Sequence, residues 1–233
     1  WSALNAGTIG YKPGPMMAGS DAFKVEVKGR QTHGSQPWGG IDPIVIGSQI
    51  VMGFQTIESR QVNVTKEPSV LSIGTFNAGT RYNIIPDAVQ MSGTLRTYDE
   101  GMRQFIMKRM EETASLIAQS GGGTSQVRFE PDGYAPTVND AALTEKMVPS
   151  LMRVPGAKVE LIQKSTAGED FSFFAQAVPG LFVFIGSTPP GQDPAKADAN
   201  HSPRFFVDEA SLLIGVRTLT QLTLDYMAMG GKS

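Results

Sequence analysis

Cysteine is missing altogether from the 233 residues, and histidine occurs only twice. The first absence excludes disulfides, thiolate metal sites and thiol nucleophiles, although it does not choose between cytoplasm and periplasm. An excess of positive charge is missing too. Twenty Lys and Arg against 22 Asp and Glu leave a net charge of −2. With no basic run or face, nucleic acid and the membrane surface are excluded as main partners. No apolar run approaches the roughly 18–20 residues that a membrane span needs. No Gly-x-Gly-x-x-Gly follows a strand signal, and no Gly-x-Ser-x-Gly elbow occurs. Gly230-Gly231-Lys232-Ser233 looks like the end of a phosphate loop but closes the chain with no helix after it. Asn63-Val64-Thr65 and Asn200-His201-Ser202 match the glycosylation triplet, a pattern common by chance. The opening residues Trp1–Asn5 hold neither a charged leader nor a signal-like apolar core, and no initiator Met. The chain is therefore expected to begin inside a longer protein.

What is present is organised around Gly29–Pro43, a polar, Gly-rich stretch carrying His33. Before it, Phe23, Val25 and Val27 alternate with Lys24, Glu26 and Lys28, the period-2 pattern of a half-buried strand. After it, Asp42 is placed to cap a helix with Pro43 at its first position, and Ile46, Ile50, Phe54 and Ile57 recur at helical spacing. A loop histidine held by a strand and a helix is a candidate for function, although an exposed or turn-satisfied imidazole is the plainer reading of its position alone.

A short strand is expected around Thr8–Tyr11, then a turn-rich break at Lys12–Pro15. Beyond the Pro43–Ser59 helix, Val70–Phe76 reads as a strand and Asn77–Thr80 as a turn. Tyr82–Tyr98 reads as a longer strand region broken by Pro86-Asp87, which suits an edge or a bulge. Asp99 is placed to cap a helix with Met102, Ile106, Met110 and Ile117 on one stripe, and Gln126–Glu130 forms a further strand. This β-α-β-β-α-β order, within about 110 residues, is the ferredoxin-like pattern. After Gly133–Pro136 come a helix (Asp140–Met152), a strand (Lys158–Ile162) and a short helix from Asp170. Leu181–Ile185 follows, an apolar run expected to be a strand buried on both faces. A last helix over Asp208–Met227 has Leu212, Val216, Leu219, Thr223 and Tyr226 along one face. Two strands seldom make a stable sheet alone, so these C-terminal residues read as half an α/β domain.

Two more features carry chemistry-bearing residues. His201 lies in Asn200–Phe205, just before the last helix, and Glu169-Asp170 stand at a loop-to-helix junction. One histidine and a distant acidic pair are a weak metal signature. Taken alone, the two carboxylates read as first-turn acids favoured by the helix dipole.

Taken together in order, the motifs are more specific. Gly29-Arg30-Gln31-Thr32-His33 with Asp42-Pro43, Asn83-Ile84-Ile85-Pro86-Asp87 and Gly93-Thr94-Leu95-Arg96-Thr97 resemble the lid of the co-catalytic metal amidohydrolases. That group includes aminoacylases, hippurate hydrolases, carboxypeptidase G and the plant auxin-conjugate hydrolases. Glu169-Asp170-Phe171 and His201–Phe205, with Asp208-Glu209, resemble the same family's C-terminal motifs. The agreement runs from about Thr8 to Tyr226.

The resemblance implies a ferredoxin-like βαββαβ lid that dimerises, inserted in a zinc-peptidase-like α/β catalytic domain. It divides the chain into the end of an N-terminal catalytic segment (1–18), the lid (19–132) and the C-terminal portion of the catalytic domain (133–233). It implies two bridged divalent ions in the parent protein, zinc before manganese or cobalt, and an incomplete centre or none in this chain alone. His201 matches a metal-ligating histidine. His33 matches the lid histidine that reaches the partner subunit's active site and steadies the tetrahedral oxyanion. Asn83 and Arg96 match substrate-binding residues, and Glu169 and Asp170 an acidic pair with a supporting role. The implied reaction is hydrolysis of an amide bond in an N-acyl amino acid or peptide-like substrate by a homodimer. The family's other ligands and its catalytic glutamate precede the position of Trp1, so the chain alone is expected to be inactive. Trp38 departs from the pattern, standing where many relatives of the hippurate hydrolase type have histidine. The alternative from the residues alone is a non-enzymatic dimerisation or binding module with a ferredoxin-like core.

Overall fold

A computed structural model describes residues 1–230; the end of the Gly230–Ser233 phosphate-loop look-alike lies outside the described residues. Along the chain come strands β1 (Thr8–Tyr11), β2 (Gly14–Met17), β3 (Gly19–Lys28) and β4 (Thr32–His33), then helix α1 (Pro43–Arg60). They are followed by β5 (Ser69–Ala78), β6 (Ile84–Ile85), β7 (Ala88–Thr97), α2 (Glu100–Ser120) and β8 (Thr124–Phe129). The remainder is β9 (Thr137–Asn139), α3 (Ala141–Met152), β10 (Lys158–Leu161), α4 (Phe171–Ala177), β11 (Phe184–Ile185) and α5 (Ala210–Ala228). The chain divides into two units, one made of Met17–Pro136 with Thr166–Asp170, the other of Trp1–Met16, Thr137–Ser165 and Phe171–Ser233.

In the first unit, β5, β7, β3 and β8 form one sheet in that order. β7 is antiparallel to both of its neighbours, and β3 to β8. Alternation sets the two faces. Phe23, Val25, Val27, Val89, Met91 and Leu95 are buried with Ile50, Phe54 and Ile57 of α1 and Ile106 and Met110 of α2. Each such side chain contributes about 1.5–3 kcal/mol on leaving water. Gly93, opposite Phe23, makes that packing possible: a Cβ there would lie 2.5 Å from the Phe23 ring and 2.1 Å from the Ser72 carbonyl oxygen. Gln90, Ser92, Thr94 and Arg96 alternate with the buried residues and so take the opposite face.

Both expected caps form. Asp42 Oδ1 accepts from the Ile44 and Val45 amides at 2.9 and 3.3 Å, with Pro43 as the first helical residue. Asp99 Oδ1 accepts from the Met102 amide at 2.7 Å, and Oδ2 from Lys66 Nζ at 2.7 Å. The Lys66 hydrogen bond, then the Met102 amide, holds the Asp99 carboxyl below its ordinary value of 3.8. An Asp99→Ala change is expected to cost about 1 kcal/mol in urea unfolding. Because the folded value is the lower one, this contribution is complete above pH 3.8 and fades as pH falls through the folded value. An equal loss at pH 7 and pH 2 would contradict that assignment.

Pro86-Asp87 departs from expectation. β7 is a central strand rather than an edge, and the proline precedes it, separating β7 from the short β6. The irregularity in pairing falls instead on β5, between Ile73 and Thr75.

In the second unit β1 lies between two C-terminal strands, parallel to β10 and antiparallel to β11. Ile9 of β1 is buried with Leu151 of α3, Val154 and Ile214 of α5. β2 pairs with β9. Asn139 on β9 is buried and bridges three segments. Its Nδ2 donates to the Lys12 and Phe182 carbonyls at 2.8 and 2.9 Å, and its Oδ1 accepts from the Phe182 amide at 2.7 Å.

One expectation fails here. Leu181–Ile185 is half-buried throughout, and only Phe184-Ile185 pairs, at a sheet edge. On α5 the core takes Ser211, Ile214 and Thr218, whereas Leu212, Val216 and Leu219 remain 62, 64 and 69% exposed. The helix is apolar around much of its circumference, so periodicity alone does not choose its inward face.

Candidate functional site

The site is built where two separate sequence motifs zip together. β4 and β6 pair antiparallel, with Thr32 opposite Ile85 and His33 opposite Ile84. The pairing extends on both sides. The Gly34 amide donates to the Asn83 carbonyl at 2.8 Å, the Gly29 amide to the Asp87 carbonyl at 2.8 Å and the Gln31 amide to Asp87 Oδ1 at 2.9 Å. A second ladder, Arg30 with Ile41 in both directions at 2.9 Å, closes the loop onto the start of α1. Gly29 is required at this crossing, since a Cβ there would lie 2.3 Å from the Ile41 carbonyl oxygen. The glycine and aspartate of the two motifs therefore serve the same end, fixing His33 beside Asn83 on an exposed ribbon.

The His33 ring is itself held. Its Nδ1 lies 3.1 Å from the Ser35 amide and 2.7 Å from Ser35 Oγ. A backbone N–H can only donate, so Nδ1 presents its lone pair and the neutral ring carries its proton on Nε2. The turn is tied further by Gln36 amide to His33 carbonyl at 2.8 Å and Thr32 Oγ1 to Gln36 carbonyl at 3.2 Å. Ser35 was passed over in reading the sequence. The signal for it was its spacing, two residues after a histidine in a turn, where side chains bond locally.

Asn83 is exposed, as are Tyr82 beside it and Trp38, which lies in a single 3₁₀ turn over Pro37–Gly39. Arg96 sits on β7 opposite Ser20 and Val70, on the sheet face away from the helices. Glu169 is half-buried and Asp170 exposed, both just before α4 and so outside its first turn. Their segment belongs to the four-stranded unit, where Gly168 packs against Ser20 and Tyr134. A cavity of about 330 Å³ on the open sheet face, lined by Lys24, Glu26, Thr75, Gln90 and Arg128 among others, includes none of these candidates.

His201 lies in the other unit, in a loop braced by its own side chains. Arg204 grips Asp198 with Nε at 3.2 and 3.1 Å and an Nη2 contact at 2.9 Å. This hydrogen bonding by Arg204 holds the Asp198 carboxyl below its ordinary range. Asn200 Oδ1 accepts weakly from the Ser2 amide at 3.4 Å. Among the described non-glycine residues His201 alone has positive φ, at 74°. That left-handed backbone is uncommon without a constraint that imposes it.

Among the described residues no three His, Asp or Glu side chains converge to hold a metal ion. His201 is a suitable single donor as a neutral imidazole, but the described residues alone do not form a two-ion centre. His33, Asn83 and Arg96 are thus collected in one unit, while His201 stands in the other. No helix among the described residues is long and apolar enough to cross a membrane.

N-acetyl-L-cysteine deacetylase of Bacillus subtilis is 35% identical over 215 residues, covering 90% of this chain and 48% of that protein. Thermostable carboxypeptidase 2 of Saccharolobus solfataricus is 36% identical over 225 residues, covering 97% of this chain and 56% of that protein. Among solved structures, the Bacillus subtilis YXEP protein, described as a dinuclear metal binding peptidase, superposes with a TM-score of 0.73 at 30% identity. The match covers 94% of this chain and 53% of that one. The chain spans about half the length of the curated relatives it matches. The profile of Peptidase family M20/M25/M40 matches residues 2–225, and the chain belongs to that family.

Proposed function

We propose that the full-length protein hydrolyses the amide bond of an N-acyl amino acid or small peptide-like substrate, using two divalent metal ions, zinc before manganese or cobalt. This chain supplies its lid (19–132) and the C-terminal portion of its catalytic domain (133–233), with residues 1–18 ending the N-terminal catalytic segment, and is inactive alone. The observation that carries this reading is the ribbon that fixes His33 beside Asn83 with Nε2–H left as the ring's donor.

The sheet order β5-β7-β3-β8, with both helices on one face, supports the ferredoxin-like description of the lid. The apolar stripe left open on α5 supports a larger catalytic domain whose remaining part covers it. β5 is an edge strand with Val70 and Phe76 exposed, which supports a homodimer through the lid. In that dimer His33 donates from Nε2 to the oxyanion that develops in the partner's site. Arg96 grips the substrate α-carboxylate with two parallel hydrogen bonds and Asn83 binds the remaining polar edge. Glu169 and Asp170 play a supporting part. His201 contributes one imidazole ligand, and its left-handed backbone supports that role. The ions, when bound, supply Lewis-acid polarisation of the scissile carbonyl.

The test is an assay of the full-length protein on N-acyl amino acids and on the same compounds with the α-carboxylate amidated. Hydrolysis of the acids, lost on chelation and poor for the amides, is expected. Arg96→Ala should raise KM for the acids by about 10- to 100-fold with a smaller effect on the amides, because a charged hydrogen-bonded contact is worth about 1.5–3 kcal/mol. No hydrolysis of any acyl amino acid by the metal-loaded protein would sink the reading in favour of a binding module.

A further inference from the structure

We infer that Ser35 is a positioning residue, which sets the tautomer and orientation of the His33 ring so that only Nε2–H faces away from the turn. The inference rests on the role proposed for His33, but its spectroscopic part stands without it. Two donors of Ser35 converge on one ring nitrogen, the amide at 3.1 Å and the hydroxyl at 2.7 Å. The amide fixes the direction of both bonds: facing an N–H, Nδ1 must accept, and the hydroxyl then donates to the same lone pair. The neutral ring has one proton to place, and Nε2 is the remaining nitrogen. The turn cannot drift away from this arrangement, because the residues on either side of His33 are tied to Asn83 and Gln36. An oxyanion donor works by already pointing at the site of developing charge. A free histidine side chain would divide its time between two tautomers and several rotamers. Here the residue two positions on removes that freedom. Serine is suited to it, having a hydroxyl one carbon from the backbone and little side-chain entropy to lose.

The experiment begins with the ¹⁵N-labelled 233-residue chain at about pH 9, where imidazoles are ordinarily neutral. With two histidines in the sequence, a His33→Gln variant assigns the ring signals. Wild type is expected to show an unprotonated Nδ1 and a protonated Nε2 for His33. Ser35→Ala removes the hydroxyl and keeps the amide, so it should move both signals part of the way toward the exchange average, and Ser35→Thr should restore them. In the full-length enzyme Ser35→Ala should lower kcat about 5- to 10-fold, the value of one lost hydrogen bond, with KM within about twofold and recovery in Ser35→Thr. Because Ser35 is exposed, its thermal unfolding should match wild type. Unchanged ring signals in Ser35→Ala, or unchanged kcat where His33→Ala is crippled, would overturn the inference. If His33→Ala itself leaves kcat intact, the oxyanion role fails, and the ring spectra alone uphold or overturn the part assigned to Ser35.

Discussion

Replacing His33 by alanine is expected to lower kcat of the full-length protein by about 10²- to 10³-fold, the usual loss for one oxyanion donor. Metal bound per subunit should stay the same. The two halves of this expectation come from different facts. The ring is fixed on an exposed ribbon with a free Nε2–H, which suits the role proposed for it, a donor to charge that develops during the reaction rather than a contributor to substrate affinity. It also belongs to the four-stranded unit, whereas His201 belongs to the other. Elemental mass spectrometry of the purified variant, set beside its kcat and KM, separates these effects. A parallel fall in activity and metal content would instead make His33 a ligand or a prop for the metal centre. A rise in KM at unchanged kcat would make it a substrate-binding group only.

The largest expected effect on stability belongs to Arg103. Its Nε and Nη2 donate to Asp21 Oδ2 and Oδ1 at 2.7 and 2.6 Å, and its Nη1 to Glu100 at 2.9 Å. The Asp21 side chain is 1% exposed and that of Arg103 15%, so this fork joins β3 to the first turn of α2 away from water. Removing one partner leaves the other charge buried and unpaired, which costs about 3–5 kcal/mol. Arg103→Ala should therefore lower the urea midpoint of the four-stranded unit substantially, and Arg103→Lys should recover only part, since an ammonium cannot form the fork. A loss under about 1 kcal/mol would reduce the pair to the worth of a surface ion pair. There is a functional consequence. Asp21 pairs with Leu95 across β3 and β7, next to the Ser20–Arg96 pair, so loosening this corner also loosens the strand that carries Arg96.

Much of the architecture could be read from local pattern because local pattern causes it. The stripe Ile46, Ile50, Phe54 and Ile57 is the buried face of α1, and Asp42 and Asp99 cap the helices they precede. These are effects within a turn or two of the chain. Where the pattern was ambiguous the reading failed. Leu181–Ile185, an apolar run bounded by Gly180 and Gly186, reads as a doubly buried strand but is half-buried and mostly unpaired.

The sequence by itself determined the order of the long strands and helices of the four-stranded unit, the caps, the exclusion of thiol chemistry and the family. Each of these depends on residue identity or short spacing. Only the tertiary structure decided that β1 completes a sheet with strands 150 and about 175 residues later, and that Asp21 meets Arg103 across 82 positions. It also decided that the His33 and Asn83 motifs are two edges of one ribbon. Such contacts cost loop-closure entropy that no local segment recovers, so they form only when the whole core is buried, and no short stretch of sequence records them.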